Sequence, residues 1–177
     1  MTVYVAMLRG VNVGGNSLKM DWLRASCENL GCRNVRTYVQ SGNIVFSSRA
    51  SAGKLAQTLK ATIDAQTRLP VTVILRNATE MERIVAGNPF LRKDIDVAKL
   101  HVTFLGNAAV KPALDRLDAL AGARDQYRFA GSEIYLNCPI NYGETKLSNS
   151  AIEKVLGVGA TTRNWNTVTT LHAMAAE

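Results

Sequence analysis

Three short stretches of the chain combine residue types that can bind an anion. The first is RGVNVGGNSLK, residues 9–19, in which two cationic side chains flank a glycine-rich loop. A loop that leaves a strand and enters a helix directs backbone N–H groups at an anion, and glycines let the backbone approach it closely. The candidate ligand-binding residues of this stretch are Arg9, Gly10, Asn12, Gly14, Gly15 and Lys19.

The glycine-rich loop has two other interpretations. Its spacing is close to that of a P-loop, but Asn16 stands where the phosphate-binding lysine belongs, and the predicted hairpins lack the parallel-strand context; this excludes ATP hydrolysis of that type. The second alternative is a connection that packs closely on a sheet. Lys19 favours the anion site, because a cation in the first turn of a helix is unfavourable by roughly 0.3–1 kcal/mol unless a negative partner offsets it.

The second stretch is the turn QSGN, residues 40–43. Serine, glycine and asparagine are the residues expected in a hairpin turn, so turn geometry accounts for most of the pattern. Gln40, Ser41 and Asn43 can also present polar groups to a ligand, and we take them as candidate binding residues.

The third stretch is ATTRNWNT, residues 160–167, with Lys146 upstream. Arginine offers a planar fork to a phosphate or carboxylate, and tryptophan can stack on a base. The candidate binding residues are Lys146, Thr162, Arg163, Asn164 and Trp165. A structural interpretation is compatible with this one: Asn164 or Asn166 caps a helix and Trp165 is a buried anchor.

No residue is identified as a nucleophile or a metal ligand. Neither His101 nor His172 has triad partners at a recognisable spacing. Cys27, Cys32 and Cys138 form no CxxC pair and have no nearby histidine, so we expect neither a metal nor a cofactor. Cys27 lies on the apolar stripe of a predicted helix, where a thiol behaves as a small hydrophobic group. An odd cysteine count without a secretion signal favours the cytoplasm.

The elements that position these stretches are predicted by periodicity and turn residues. The first 76 residues contain, in order, a strand, a helix capped by Asn16 or Ser17, a hairpin, a helix over 51–68 and the strand VTVILR. The second half repeats a strand, a helix opened by Lys111-Pro112, a hairpin and a helix over 148–157. YVQSGNIVF and YRFAGSEIYL echo each other about 89 residues apart, which indicates an internal duplication.

The predicted fold class is therefore α+β, with two ferredoxin-like (βαββαβ-type) halves that have antiparallel sheets. The second half is predicted to end in an extra C-terminal helix where a fourth strand is due. The predicted divisions are a basic half over 1–76, a connecting segment over 77–98 and a second half over 99–177.

Charge is unevenly distributed along the chain. The 177 residues carry a net charge of +7, and residues 1–76 hold ten basic and three acidic side chains, so the whole excess lies there. Such an asymmetry indicates an anionic partner: nucleic acid, a nucleotide or a phosphorylated small molecule. The alternative is a solvated basic face that keeps the protein soluble. No apolar run is long enough to span a membrane, so no membrane partner is expected.

Three segments together resemble a bacterial family catalogued as domain of unknown function 1697. They are LRGVNVGG at 8–15, Y-x-x-SGN-x-VF at 38–46, and TKLSN followed by ATTRNWNTV within 145–168. The resemblance runs over the whole chain in the same order. It implies a small cytoplasmic bacterial protein with paired ferredoxin-like halves, from a family with no established activity and no catalytic residues to carry over.

Three functional hypotheses follow from the sequence. The first is a protein that binds a phosphate-bearing ligand, a nucleic acid or a nucleotide. The third strand, GNIVF, lacks the aromatic pair of sheet-surface RNA readers, so this hypothesis places the ligand at loop ends. The second is an enzyme acting on a small anionic metabolite, with Arg9, Lys19 and Arg163 neutralising charge. The third is purely structural: the motifs clamp the two halves together.

Overall fold

A computed structural model describes residues 1–12, 17–67, 70–107 and 115–177. The first half contains, in chain order, β1 (Thr2–Arg9), α1 (Met20–Asn29), β2 (Arg33–Tyr38), β3 (Asn43–Ser48), α2 (Ala52–Thr67), β4 (Thr72–Asn77) and α3 (Ala78–Ala86).

The second half has the same order of elements. After a 3₁₀ turn at Val97–Lys99 come β5 (Leu100–Leu105), α4 (Asp115–Ala121), β6 (Gln126–Ala130), β7 (Glu133–Asn137), a 3₁₀ turn at Tyr142–Glu144, α5 (Asn149–Leu156), β8 (Ala160–Asn164) and α6 (Trp165–Ala176). The predicted helix start at Lys111-Pro112 lies outside the described residues.

Both halves form a four-stranded antiparallel sheet with the same topology. The strand orders are β2-β3-β1-β4 and β6-β7-β5-β8. The pairing registers also correspond, since Val5 lies opposite Arg76 in the first sheet and Val102 lies opposite Arg163 in the second. The predicted α+β class with two ferredoxin-like halves and a C-terminal helix is confirmed.

The prediction that the C-terminal helix takes the place of a fourth strand is wrong. β8 is that strand, it pairs with β5, and α6 follows it just as α3 follows β4. Its sequence, ATTRN, is polar, and only Ala160 and Thr161 are fully buried. A strand without an apolar alternation is recognisable only by its pairing partner, so local pattern reading missed it.

The chain divides into two compact units. The first comprises Met1–Arg83 together with Leu171–Glu177, and the second comprises Ile84–Thr170. The segment 77–98, predicted as a connection, contains α3. No helix among the described residues is long and apolar enough to cross a lipid bilayer.

Each unit has a core between its sheet and its helices. In the first unit, alternate residues of β1 face α1 and α2, because successive side chains of a strand point to opposite faces. The core includes Tyr4, Ala6, Leu8, Leu23, Cys27, Ile44, Phe46, Leu55, Leu59 and Ile63. Cys27 is fully buried and burial raises the pKa of its thiol to about 12, which confirms its prediction as a small apolar group. The second core includes Leu105, Leu117, Ile134, Leu136, Ile152 and Leu156.

Candidate functional site

The side chain of Asn12 joins the first two predicted stretches. Its Oδ1 accepts from the Leu18 backbone N at 2.6 Å, and its Nδ2 donates to the Leu18 O at 3.1 Å. The same Nδ2 donates to the Gln40 O at 2.6 Å. Asn12 adopts a left-handed backbone conformation (φ 55°), which asparagine tolerates better than most residues. One side chain therefore closes the base of the glycine-rich loop and ties it to the hairpin turn.

The hairpin turn is held from within. Asn43 is fully buried, and its Nδ2 donates to the Ser41 Oγ at 2.7 Å and to the Tyr38 O at 3.2 Å. Gly42 has φ 74°, and a Cβ placed on it would lie 2.6 Å from the Val11 Cγ2. Residues 9–12, 17–19 and 38–43 thus pack as one structure, which we call the loop–turn cluster.

Val39 is a strained residue of the loop–turn cluster. Its φ is 52°, although β-branched residues disfavour the left-handed region, and its side chain is 53% exposed. The left-handed backbone costs on the order of 1–3 kcal/mol, and a side chain this exposed recovers little of that free energy by burial. Such strain is concentrated at functional sites and turns.

Two cationic residues lie at the edge of the loop–turn cluster. Arg9 ends β1 and is partly exposed, whereas Lys19 is exposed and occupies the N-cap position of α1 with no side-chain cap. The prediction that Ser17 caps this helix is wrong, because the chain remains extended at Lys19 (φ −70°, ψ 129°) and α1 begins only at Met20. Gly14, Gly15 and the alternative cap Asn16 lie outside the described residues.

The third stretch spans the end of β8 and the start of α6. The Asn164 Oδ1 accepts from the Thr167 N at 2.8 Å, and Trp165 is 5% exposed, so the predicted cap and buried anchor are confirmed. The Thr162 Oγ1 donates to the Asn149 Oδ1 at 2.7 Å and lies 2.7 Å from the Thr103 Oγ1. These contacts attach β8 to its neighbours.

The two cationic members of the third stretch differ in environment. The Arg163 Nη1 donates to the Thr161 Oγ1 at 2.7 Å and to the Thr162 O at 2.9 Å. Burial lowers the pKa of the Arg163 guanidinium to about 10, with the Tyr142 phenol acting in the opposite direction. Lys146 is exposed. The first two stretches belong to the first unit, whereas Lys146 and residues 160–167 belong to the second.

Sequence reasoning missed a stacked ring pair in the second unit. The rings of His101 and Tyr142 lie 4.7 Å apart at 23°. Burial lowers the pKa of His101, while a contact between its Nδ1 and the Lys99 O at 3.3 Å acts in the opposite direction. No local pattern marks this pair, because 41 residues separate its members. Among the described residues, no group of three or more His, Cys, Asp or Glu side chains converges as a metal site would require.

Comparison with known proteins assigns the family. Residues 1–135 match the profile of a family described as "Protein of unknown function (DUF1697)". The chain belongs to the DUF1697 family. The matched residues contain the whole loop–turn cluster. The third stretch, Lys146 and residues 160–167, lies beyond the matched residues. A search of the curated proteins found no match.

A solved structure shares the fold of this DUF1697 protein. It is a conserved bacterial protein from Streptococcus pneumoniae, with a TM-score of 0.81 and 24% sequence identity. The similarity covers 100% of this chain and 99% of the other. At this level of identity the likeness concerns the fold alone.

Proposed function

We propose that this DUF1697 protein binds a phosphate-bearing ligand, a nucleotide or a nucleic acid strand, at the loop–turn cluster of its first unit. The observation that carries the proposal is the set of three hydrogen bonds made by Asn12. They join the segment after β1, the segment before α1 and the hairpin turn into one preorganised surface. Preorganisation favours binding because less conformational entropy is lost when the ligand arrives.

Charge supports an anionic ligand. Lys19 lies at the positive end of the α1 dipole, where a cation is unfavourable by roughly 0.3–1 kcal/mol. A phosphate beside Lys19 and Arg9 would offset this cost and interact with both cations. The seven-charge excess of residues 1–76 adds a long-range attraction for polyanions.

Burial of β3 supports binding at the loops. Asn43, Ile44, Val45 and Phe46 are all buried, so this central strand has no exposed aromatic ring on which a base could stack. Gln40 and Ser41 are exposed polar residues in the turn before β3.

The test compares two lysines of the same unit. Lys19→Ala is expected to weaken binding of a fluorescent single-stranded oligonucleotide several-fold and to reduce the slope of log affinity against log salt by about one. Lys54→Ala, which removes an exposed lysine from α2, is the matched control and should leave both quantities unchanged. Fluorescence anisotropy over a salt series measures them, with ADP and pyrophosphate as competitors.

Two results would contradict the proposal. One is that none of the three probes (the oligonucleotide, ADP and pyrophosphate) binds the protein at low salt. The other is an equal loss of affinity in Lys54→Ala and Lys19→Ala, which would indicate a diffuse basic surface.

A structural role is the second candidate, and the internal hydrogen bonds of Asn12 and Asn43 favour it. Asn12→Gly separates the two functions, because glycine keeps the left-handed conformation while the three side-chain hydrogen bonds are lost. A structural role predicts a lower melting temperature in Asn12→Gly and no effect of Lys19→Ala on any binding. Ligand binding predicts that Lys19→Ala weakens binding without lowering the melting temperature.

A further inference from the structure

The second unit contains a cavity that none of the predicted binding residues lines. Its volume is about 640 Å³, within the range of small-molecule sites. Its walls come from β6, the end of α4 and the segment 89–92. The residues that give it chemical character are Phe90, Arg92, Asp118, Tyr127, Arg128 and Phe129.

The position of β6 leaves this cavity open. β6 is the edge strand of the second sheet and pairs with β7 along Gln126–Ala130. Tyr127 and Phe129 turn toward the core, but both remain only partly buried. Gly122 (φ 62°) directly follows α4, and Asp118, Ala121 and Gly122 line the cavity there.

The third wall is a turn fixed by Asn88. The Asn88 Oδ1 accepts from the Phe90 N at 3.0 Å, and its backbone O accepts from the Leu91 N at 3.4 Å. Its Nδ2 is buried and has no hydrogen-bond acceptor in the described part of the chain. The turn places Pro89, Phe90 and Arg92 in the wall, so an aromatic ring and a cation come from one short segment.

The acidic and phenolic groups of the cavity are held by hydrogen bonds. The Tyr127 hydroxyl donates to the Asp118 Oδ1 at 2.7 Å, and the Asp125 Oδ2 accepts from the Thr145 Oγ1 at 2.7 Å. Burial and the bond to Asp118 raise the pKa of Tyr127 to about 12, so the phenol stays protonated at neutral pH.

The two arginines of the cavity face solvent. Arg92 and Arg128 are exposed, and within the described ranges neither forms an ion pair. The Arg128 Nη1 donates to the Tyr127 O at 3.1 Å, and four more guanidinium N–H groups remain on that side chain. An arginine fork of this kind holds a carboxylate or phosphate in a bidentate manner.

We infer that this cavity is a second binding site, for a small molecule that combines a planar ring with one anionic group, a carboxylate or a phosphate. The ring packs against Phe90 and Phe129, and the anionic group binds Arg92 and Arg128. Asp118 and Asp125 lie in the same walls and balance the two arginines in charge, so the lining favours a ligand with one anionic group over a polyanion. The site contains no residue of the loop–turn cluster and stands independently of the function proposed above.

Isothermal titration calorimetry with indole-3-acetate and uridine monophosphate tests the inference and separates the carboxylate from the phosphate. Arg128→Gln is expected to weaken binding of the preferred probe about tenfold, as loss of a charge-assisted hydrogen bond does. Arg116→Gln is the matched control, since Arg116 is an exposed arginine of α4 and is not among the lining residues. It should bind the probe like the unmodified protein.

Acetate and inorganic phosphate, which lack a ring, serve as probes of the ring contact and should bind much more weakly. The inference is overturned if neither ring probe binds in the millimolar range, if the ringless anions bind equally well, or if Arg116→Gln loses as much affinity as Arg128→Gln. Displacement of the bound ring probe by a single-stranded oligonucleotide would overturn the assignment to a small molecule.

Discussion

At the residue scale, four backbone positions with a positive φ shape the described part of the loop–turn cluster. Gly10, Asn12, Val39 and Gly42 have φ values of 89°, 55°, 52° and 74°. Asparagine and glycine suit this conformation for different reasons: the first hydrogen-bonds locally and the second has no Cβ. Val39 suits it poorly, so its conformation is imposed by its neighbours in the turn.

Gly42→Ala is expected to lower the free energy of unfolding by about 2–4 kcal/mol, because strain and overpacking both arise at this position. The new Cβ would lie 2.6 Å from the Val11 Cγ2 and 2.8 Å from the Leu8 Cβ. Gly31→Ala is the control, because Gly31 also has a positive φ (81°) but a Cβ placed on it would meet no atom within 4 Å. This substitution should lower the free energy of unfolding by only about 1 kcal/mol. Urea denaturation measures both values, and equal losses would show that crowding at Gly42 has no effect.

At the element scale, the fourth strand ends in the same way in the two halves. An arginine is followed by an asparagine that caps the next helix, as Arg76-Asn77 before α3 and as Arg163-Asn164 before α6. Asn77 and Glu80 bond reciprocally: the Glu80 N donates to the Asn77 Oδ1 at 2.8 Å and the Asn77 N donates to the Glu80 Oε2 at 2.7 Å. This arrangement is a capping box.

Asn164→Ala and Asn77→Ala are each expected to destabilise the protein by about 1 kcal/mol, the usual effect of removing an N-cap side chain. Asn166→Ala, two residues into α6, replaces an exposed asparagine with a better helix former and should change stability by less than about 0.5 kcal/mol. Thermal unfolding of the three variants provides the comparison. A larger loss of stability in Asn166→Ala than in Asn164→Ala would show that Asn164 is not the residue that caps α6.

At the scale of the whole molecule, the positive charge and the candidate sites follow the division into units. The loop–turn cluster lies in the unit that contains residues 1–76, whereas the aromatic and basic cavity lies in the second unit. The protein therefore carries two candidate anion sites of different character: a basic surface formed by loops, and a cavity lined by aromatic and charged side chains.

The stability of the molecule in mild acid is expected to depend on His101. Burial lowers its pKa in the folded state, so as the pH falls through 6.5, its ordinary value, the unfolded chain takes up the proton first. Stability from this group is complete above pH 6.5 and is lost as the pH falls toward the lower folded pKa. His101→Phe keeps a ring against Tyr142 and removes the titration, so its denaturation midpoint should fall less between about pH 7 and 5 than that of the unmodified protein. Parallel pH profiles for the two proteins would contradict this expectation.

Local patterns in the sequence were sufficient to predict most of the elements. The apolar alternation of β1, the helical spacing of Leu23 and Cys27, and the turn at Ser41-Gly42 each depend on residues within a few positions of one another. Periodicity and turn chemistry act over this range, so the βαββαβ order of the first half was predicted correctly. The asparagine cap of α6 was recognised for the same reason.

Contacts between distant residues decided the remainder. The polar segment ATTRN is a strand because β5 pairs with it, and Asn12 bonds to the Gln40 O across 28 residues. Burial lowers the pKa of His101 only when the chain is folded. Folding also brings together the three segments that line the cavity around Phe90 and Tyr127. The sequence by itself therefore determined the order of elements in the first 76 residues and the uneven charge. Tertiary structure decided which residues lie together, because long-range pairing and burial leave no local pattern to read.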